Sequence, residues 1–278
     1  MQSRLHREIF ASKSAVFEEK DMRVIAFAVL LLGSTTGFAQ TLSGLCMLSQ
    51  RTDVPGKGQL MLARTDCDKG SDNCSDMDNS SIEWSRWTGV SAEMLQKEGT
   101  TLVARMSAEP GELTCNGSVH DGVLSGRYQF TPNGLFVKEM ESMGFDGITP
   151  RKQLGFLMLD VTTAWVKEMK GLGVTELSTS KLMGLRALHV TPEYVRAMSA
   201  AGYPELKAGK LTEMKAVGVT PEKVQEAKSL GFTPTEHELI QMSIFHIDRP
   251  FVERMRARGL NDLTLDKLIK IKIFKVDE

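Results

Sequence analysis

Two rhythms of apolar and polar positions divide the chain. From residue 40 to about residue 130 the two kinds alternate in short runs, the period of a strand buried on one face. Segments 58–63, 82–87, 101–106, 112–115 and 123–130 read as strands. Glu109-Pro110-Gly111 marks a turn, and Asp121-Gly122 is the two-residue signal of a tight hairpin. The expectation for residues 40–132 is a small antiparallel β-sheet or sandwich.

From residue 133 to 278 the period changes and the chain repeats itself. A glycine closes an apolar segment at Gly144, Gly173, Gly202, Gly231 and Gly259, at spacings of 29, 29, 29 and 28. Seven residues earlier stands Val137, Val166, Val195, Val224 or Val252, and four earlier Met140, Met169, Met198, Ala227 or Met255. An apolar residue follows each glycine: Phe145, Val174, Tyr203, Phe232, Leu260. A second apolar set recurs between the glycines, as in Leu182, Leu185, Val190 and Leu211, Met214, Val219. Matched markers at one period are the signature of a repeat architecture.

Each unit reads as two short helices. Thr191-Pro192-Glu193 and Thr220-Pro221-Glu222 open the first. The threonine caps free N–H groups, proline at the first helical position loses no bond, and glutamate complements the positive end of the dipole. The glycine ends that helix in the left-handed conformation, and the apolar residue after it folds back, as in a Schellman motif. Ser178 or Thr264 can cap the second helix. Helices this short are marginal alone, so neighbours must bury each other's faces. The fold class expected is α+β: a small β domain, then a solenoid-like α-helical array of about five units of ~29 residues. In the last unit Leu268-Ile269-Lys270-Ile271-Lys272-Ile273 alternates like a strand, while the repeat register argues for helix.

The stretch from Gly117 onward resembles a bacterial family. It carries Gly126-Arg127-Tyr128-Gln129-Phe130-Thr131-Pro132-Asn133, then units of the form Val190-Thr191-Pro192-Glu193-Tyr194-Val195, closing at Gly202-Tyr203. Such GVTPE-type tandem helical repeats are similar to those behind the peptidase domain of BlaR-type antirepressor metallopeptidase sensors, and to those of short exported proteins of unassigned function. The resemblance implies a helical array and an envelope location. The zinc peptidase is not implied: its H-E-x-x-H needs two histidines one turn apart, and in His237-Glu238-Leu239-Ile240-Gln241 glutamine stands at the second.

The N-terminus bears on location. Met22-Arg23 precedes an apolar run from Val24 to Gly33, and a small-residue site follows at Gly37-Phe38-Ala39-Gln40. Ten residues make a helix of about 15 Å, too short for a bilayer core of about 30 Å. The pattern reads as a secretory signal cleaved between Ala39 and Gln40, with residues 1–21 an upstream extension. The mature chain is then expected to be periplasmic or secreted, with no stable membrane insertion. In an oxidising compartment four cysteines suggest disulfides. Cys67 with Cys74 across a short polar loop is the preferred pair, and Cys46 with Cys115 would then staple two strands.

Composition narrows the function. The net charge is -1 and the balance of 41% hydrophobic to 25% charged residues is that of a globular protein, so no basic field points to nucleic acid. No nucleophile elbow, phosphate-binding loop or dinucleotide turn occurs, and no cofactor or metal is implied. His189 and His246 stand at equivalent repeat positions, read as helix-end roles rather than a ligand ladder. The aspartates from Asp66 to Asp78 read as a solvated loop rather than a calcium site. Met143 and Met183 fall outside the core register and are candidate groove residues. The reading is a non-enzymatic binding or scaffolding protein of the cell envelope, presenting its helical surface to a protein or peptide. The alternatives are an enzyme or enzyme inhibitor with a site at the β/α junction near Trp84, Trp87 and Trp165, or a glycan or peptidoglycan binder using those rings.

Overall fold

In the computed structural model residues 41–65 and 77–274 are described. The signal segment with Ala39 and Gln40, the loop with Cys67 and Cys74, and residues 275–278 lie outside them. Six strands make one antiparallel sheet: β1 (Leu42–Gln50), β2 (Lys57–Arg64), β3 (Met77–Glu83), β4 (Thr101–Ala108), β5 (Gly111–His120) and β6 (Val123–Pro132), in the order β3-β2-β1-β6-β5-β4. Ten helices follow among the described residues. They are α1 (Gly134–Ser142), α2 (Pro150–Leu159), α3 (Thr163–Gly171), α4 (Thr179–Ala187), α5 (Pro192–Ala200), α6 (Ala208–Ala216), α7 (Pro221–Ser229), α8 (Glu236–Ile244), α9 (Arg249–Ala257) and α10 (Leu265–Ile273). The class is α+β.

Period-2 burial sorts the sheet into an inner and an outer face. Leu48, Leu60, Leu62, Ala104, Met106, Leu113, Leu124 and Phe130 are buried on the inner one. No second sheet covers them among the described residues. Leu154 and Leu157 of α2 do so, with Trp87, Val90 and Leu95 from the connection between β3 and β4. The segment 82–87 is not one strand. β3 stops at Glu83, and Trp84–Arg86 turns as a 3-10 helix. Trp84 N–H donates to the Gly56 carbonyl at 3.0 Å, and its ring lies so close to Gly58 that a Cβ there would meet it at 2.9 Å. β1 has no clean alternation because Leu45 and Met47 on the outer face are apolar, yet 48% and 45% exposed.

Asn133 joins the two halves. Its N–H donates to the Pro110 carbonyl at 3.0 Å, and its side chain accepts from Leu135 N–H as the cap of α1. Glu109, on the β4–β5 turn, accepts from Thr163 N–H at the start of α3 at 2.7 Å.

The helices are built alike. Thr149, Thr162, Ser178, Thr191, Thr220, Thr235, Asp248 and Thr264 each cap a helix through the side chain. Helix α6 has no such cap; its Ala208 N–H donates to the Thr175 carbonyl instead, at 2.9 Å. Gly144, Gly173, Gly202, Gly231 and Gly259 all have φ between 80° and 109°. After each, the next residue donates to the carbonyl five residues back (Phe145 to Met140, Val174 to Met169, Tyr203 to Met198, Phe232 to Ala227, Leu260 to Met255). That pattern is the Schellman closure. Helices α2, α4, α6 and α8 close the same way through Asp160, His189, Gly218 and His246, at φ of 58°, 53°, 70° and 52°.

Helices of like parity pack on one another. In one rank α1 meets α3 and α5 meets α7; in the other α2, α4, α6, α8 and α10 touch in succession. Basic side chains in the last turn reach back to the preceding helix of the same rank. Lys170 donates to the Met143 carbonyl at 2.7 Å, Lys228 to that of Ala201 at 2.6 Å, and Arg256 to that of Leu230 at 2.8 Å. Each places a cation on a free carbonyl at a negative dipole end. The segment 268–273 is helical, as the repeat register requires.

Candidate functional site

The C-terminus of α2 meets the β3 side of the sheet and the end of α4. Two guanidinium groups converge there. Arg86 ends the 3-10 turn that follows β3 and donates to the carbonyls of Leu157 and Met158, the latter at 2.8 Å. Arg186, in the last turn of α4, donates to the Leu159 carbonyl at 3.1 Å and to the Asp160 carbonyl, and its Nη2 lies 2.7 Å from Asp160 Oδ2. The carbonyls of the last turn of α2 thus find their donors on two arginines from different parts of the chain. The Asp160 carboxylate stands between them, 3.8 Å from Arg86 and 2.7 Å from Arg186. Arg186 also covers the Trp165 ring at 5.1 Å. Burial pulls the Arg86 guanidinium below its ordinary value, Asp160 opposes that, and Arg186 adds to it. An arginine so placed stays charged.

Around these groups opens a groove of about 550 Å³. Arg51, Lys57 and Ser81 form its sheet-side wall, and Met158, Ala187 and His189 its helical wall. Four basic side chains line it, each paired with a carboxylate of this chain: Arg51 with Asp53, Lys57 with Glu83 at 3.2 Å, and Arg86 and Arg186 with Asp160. β3 is an edge strand, so among the described residues one side of its backbone has no strand partner.

The residues singled out from sequence fall in several places. Cys46 and Cys115 form a disulfide. The five repeat glycines stand one per unit, as helix closures rather than a gathered site. His189 and His246 hold the left-handed closing positions of α4 and α8; His189 reaches the junction groove. His237 is exposed on α8, and Glu238 serves a capping box, accepting from Thr235 N–H at 2.8 Å. Trp87 and Trp165 are core residues and Trp84 is half-buried beside Gly58, so the three rings do not form a stacking platform. Met143 and Met183 pack against the helical core. Lys267 and Lys270 pair with Asp262 and Asp266 at 2.8 and 2.7 Å. Among the described residues no helix is long and apolar enough to cross a membrane, and no group of three His, Cys, Asp or Glu could hold a metal ion.

Sequence reasoning missed Arg86, Asp160 and Arg186. Arg186 carries a legible signal: a basic residue in the last turn of a repeat helix, where Lys170 and Lys228 stand in theirs. Arg86 carries none, because its target is distant in sequence. The chain matches no known protein family, no curated protein and no solved structure.

Proposed function

We propose that the chain is a non-enzymatic binding and scaffolding protein of the cell envelope, whose helices form a solenoid-like array that holds a protein or peptide partner. The observation that carries this reading is the unbroken succession of contacts from α2 through α4, α6 and α8 to α10. Helices of nine or ten residues draw their stability from such neighbours, and an array built this way offers an extended surface. The junction groove, with its edge strand, is where an extended segment of that partner would lie. The Cys46–Cys115 bond is compatible with an oxidising, exported location. The likeness of the repeats to those of BlaR-type sensors supports the same compartment.

Cross-linking mass spectrometry on whole cells tests the reading. The expected result is an envelope protein linked to helical lysines or to Lys57. Recovery of no partner, together with turnover by the purified chain in an activity screen, would overturn it.

A further inference from the structure

One unit breaks the internal pattern at a single place. The third residue of each odd-numbered helix is Phe136, Trp165, Tyr194, Lys223 and Phe251 in turn. The four rings are buried and Lys223 is exposed. Three of the rings carry a cation: Arg186 over Trp165 at 5.1 Å, Lys215 over Tyr194 at 4.6 Å, and Lys272 over Phe251 at 4.1 Å. In the fourth unit Ser243 stands where those cations stand elsewhere. The ammonium comes from the opposite helix instead, with Lys223 Nζ donating to Ser243 Oγ at 3.3 Å. Ala227 also replaces the methionine that the other four units place at Met140, Met169, Met198 and Met255.

The missing volume is still there. A cavity of about 200 Å³ opens in this unit, with an apolar floor that includes Met242 and Ile247 and a polar rim of Lys223, Glu226, His246 and Asp248. It lies on the seam where the helical core divides. Val219 and Leu239 belong to one cluster, and Ala227, Met242 and Ile247 to the next. By size alone, roughly 150 Å³ suffices to take up a benzene ring.

We infer that the fourth unit is a slot for a tyrosine side chain supplied by a peptide partner, which completes the aromatic column that this chain leaves open. The neighbouring unit shows how the ring is held. Tyr194 lies under Lys215, and its hydroxyl donates to the Val219 carbonyl at 3.0 Å. In the fourth unit Lys223 supplies the ammonium in place of Lys215, and Ile247 is the register counterpart of Val219; both residues line the cavity. A cation over a ring face favours an aromatic guest over an aliphatic one, and the carbonyl favours a phenol over a plain phenyl. Taking the ring from a peptide rests on the function proposed above; the slot rests on the comparison between units.

The probe is N-acetyl-tyrosinamide, titrated into the full chain with the Met242 and Ile247 methyl signals followed by NMR. Saturable shifts at both are expected, with N-acetyl-leucinamide binding about tenfold or more weaker. The double variant K223Y/S243K restores the ring and cation of the other units. It is expected to abolish the shifts and to raise the melting temperature. Ala227→Met, which restores the thioether, is the second filled variant and should weaken the probe while the fold is kept. No saturable shift up to the solubility limit, equal shifts in both filled variants, or leucine binding as tightly as tyrosine would overturn the slot. A partner recovered from cells while the probe fails to bind would sink the slot alone. A probe that binds while no partner is recovered would sink the scaffold reading alone.

Discussion

Cys46 and Cys115 are bonded to each other although β6 runs between their strands. Two strand spacings in a flat sheet are about 10 Å, yet the two Cα atoms are 6.0 Å apart. The sheet folds over β6 at Gly126, which is paired with Cys46 on one side and Gly117 on the other. A Cβ on Gly126 would lie 2.0 Å from the Asn116 carbonyl oxygen, so only glycine permits so close an approach. Because the bond closes a separation of 69 residues, the double variant Cys46→Ala/Cys115→Ala is expected to lose about 2–5 kcal/mol, chiefly through a freer unfolded chain. Urea unfolding checks it; an unchanged midpoint would contradict the tie.

The half-buried and the exposed arginines should separate clearly. Arg186→Ala removes the acceptors' partner at the end of α2 and the cation over Trp165. It is expected to cost about 2–3 kcal/mol and to speed amide exchange in the last turn of α2. Arg196 pairs with Glu168 and Glu193 on the open surface, and Arg196→Ala should stay within about 1 kcal/mol. Melting curves of the two variants side by side decide the matter.

Left-handed closures held by side-chain-bearing residues can be improved. His189 and His246 sit at φ of 53° and 52°. His189→Gly and His246→Gly should each stabilise the chain by up to about 1 kcal/mol. Gly144→Ala runs the other way. At φ of 89°, with nothing within 4 Å of an added Cβ, it should cost about 1–2 kcal/mol through backbone strain alone. Denaturant midpoints of the three variants give the signs.

Acid should loosen the ties between units. Hydrogen bonds from Lys167 and Lys207 hold the carboxyls of Glu139 and Glu176 below their ordinary value of 4.5. A carboxylate whose folded value is depressed binds its proton more readily in the unfolded chain. Its contribution is therefore fully present above pH 4.5 and is lost as pH falls through the lowered folded values. Melting temperature followed from pH 7 to about pH 3 should hold and then fall, and Glu139→Gln with Glu176→Gln should flatten the drop.

The helical half was largely legible because its rules are local. Thr191, Thr220, Ser178 and Thr264 announce helix starts and the glycines announce ends, and all of them act within a few residues. Even the strand-like run 268–273 yields to the register, since Leu268 and Ile269 are both buried in α10. The sheet was less legible. β1 hides behind the apolar Leu45 and Met47 of its outer face, and Trp84 leaves β3 to lie over Gly58. The junction groove was the least legible, because Arg86 finds its acceptors 71 and 72 residues away. The preferred cysteine pair, Cys67 with Cys74, lies outside the described residues, while the bond that staples two strands is present.

The most direct test of the stacked array is a ladder of electron-spin distances. Spin labels go on the exposed counterparts Lys138, Lys167, Arg196, Gln225 and Glu253, each paired with Lys138. Stacked units predict separations that grow step by step, by roughly 8–10 Å per unit, the spacing of packed helices. Separations that stop growing, or that fall in no order along the chain, would contradict neighbour-on-neighbour stacking.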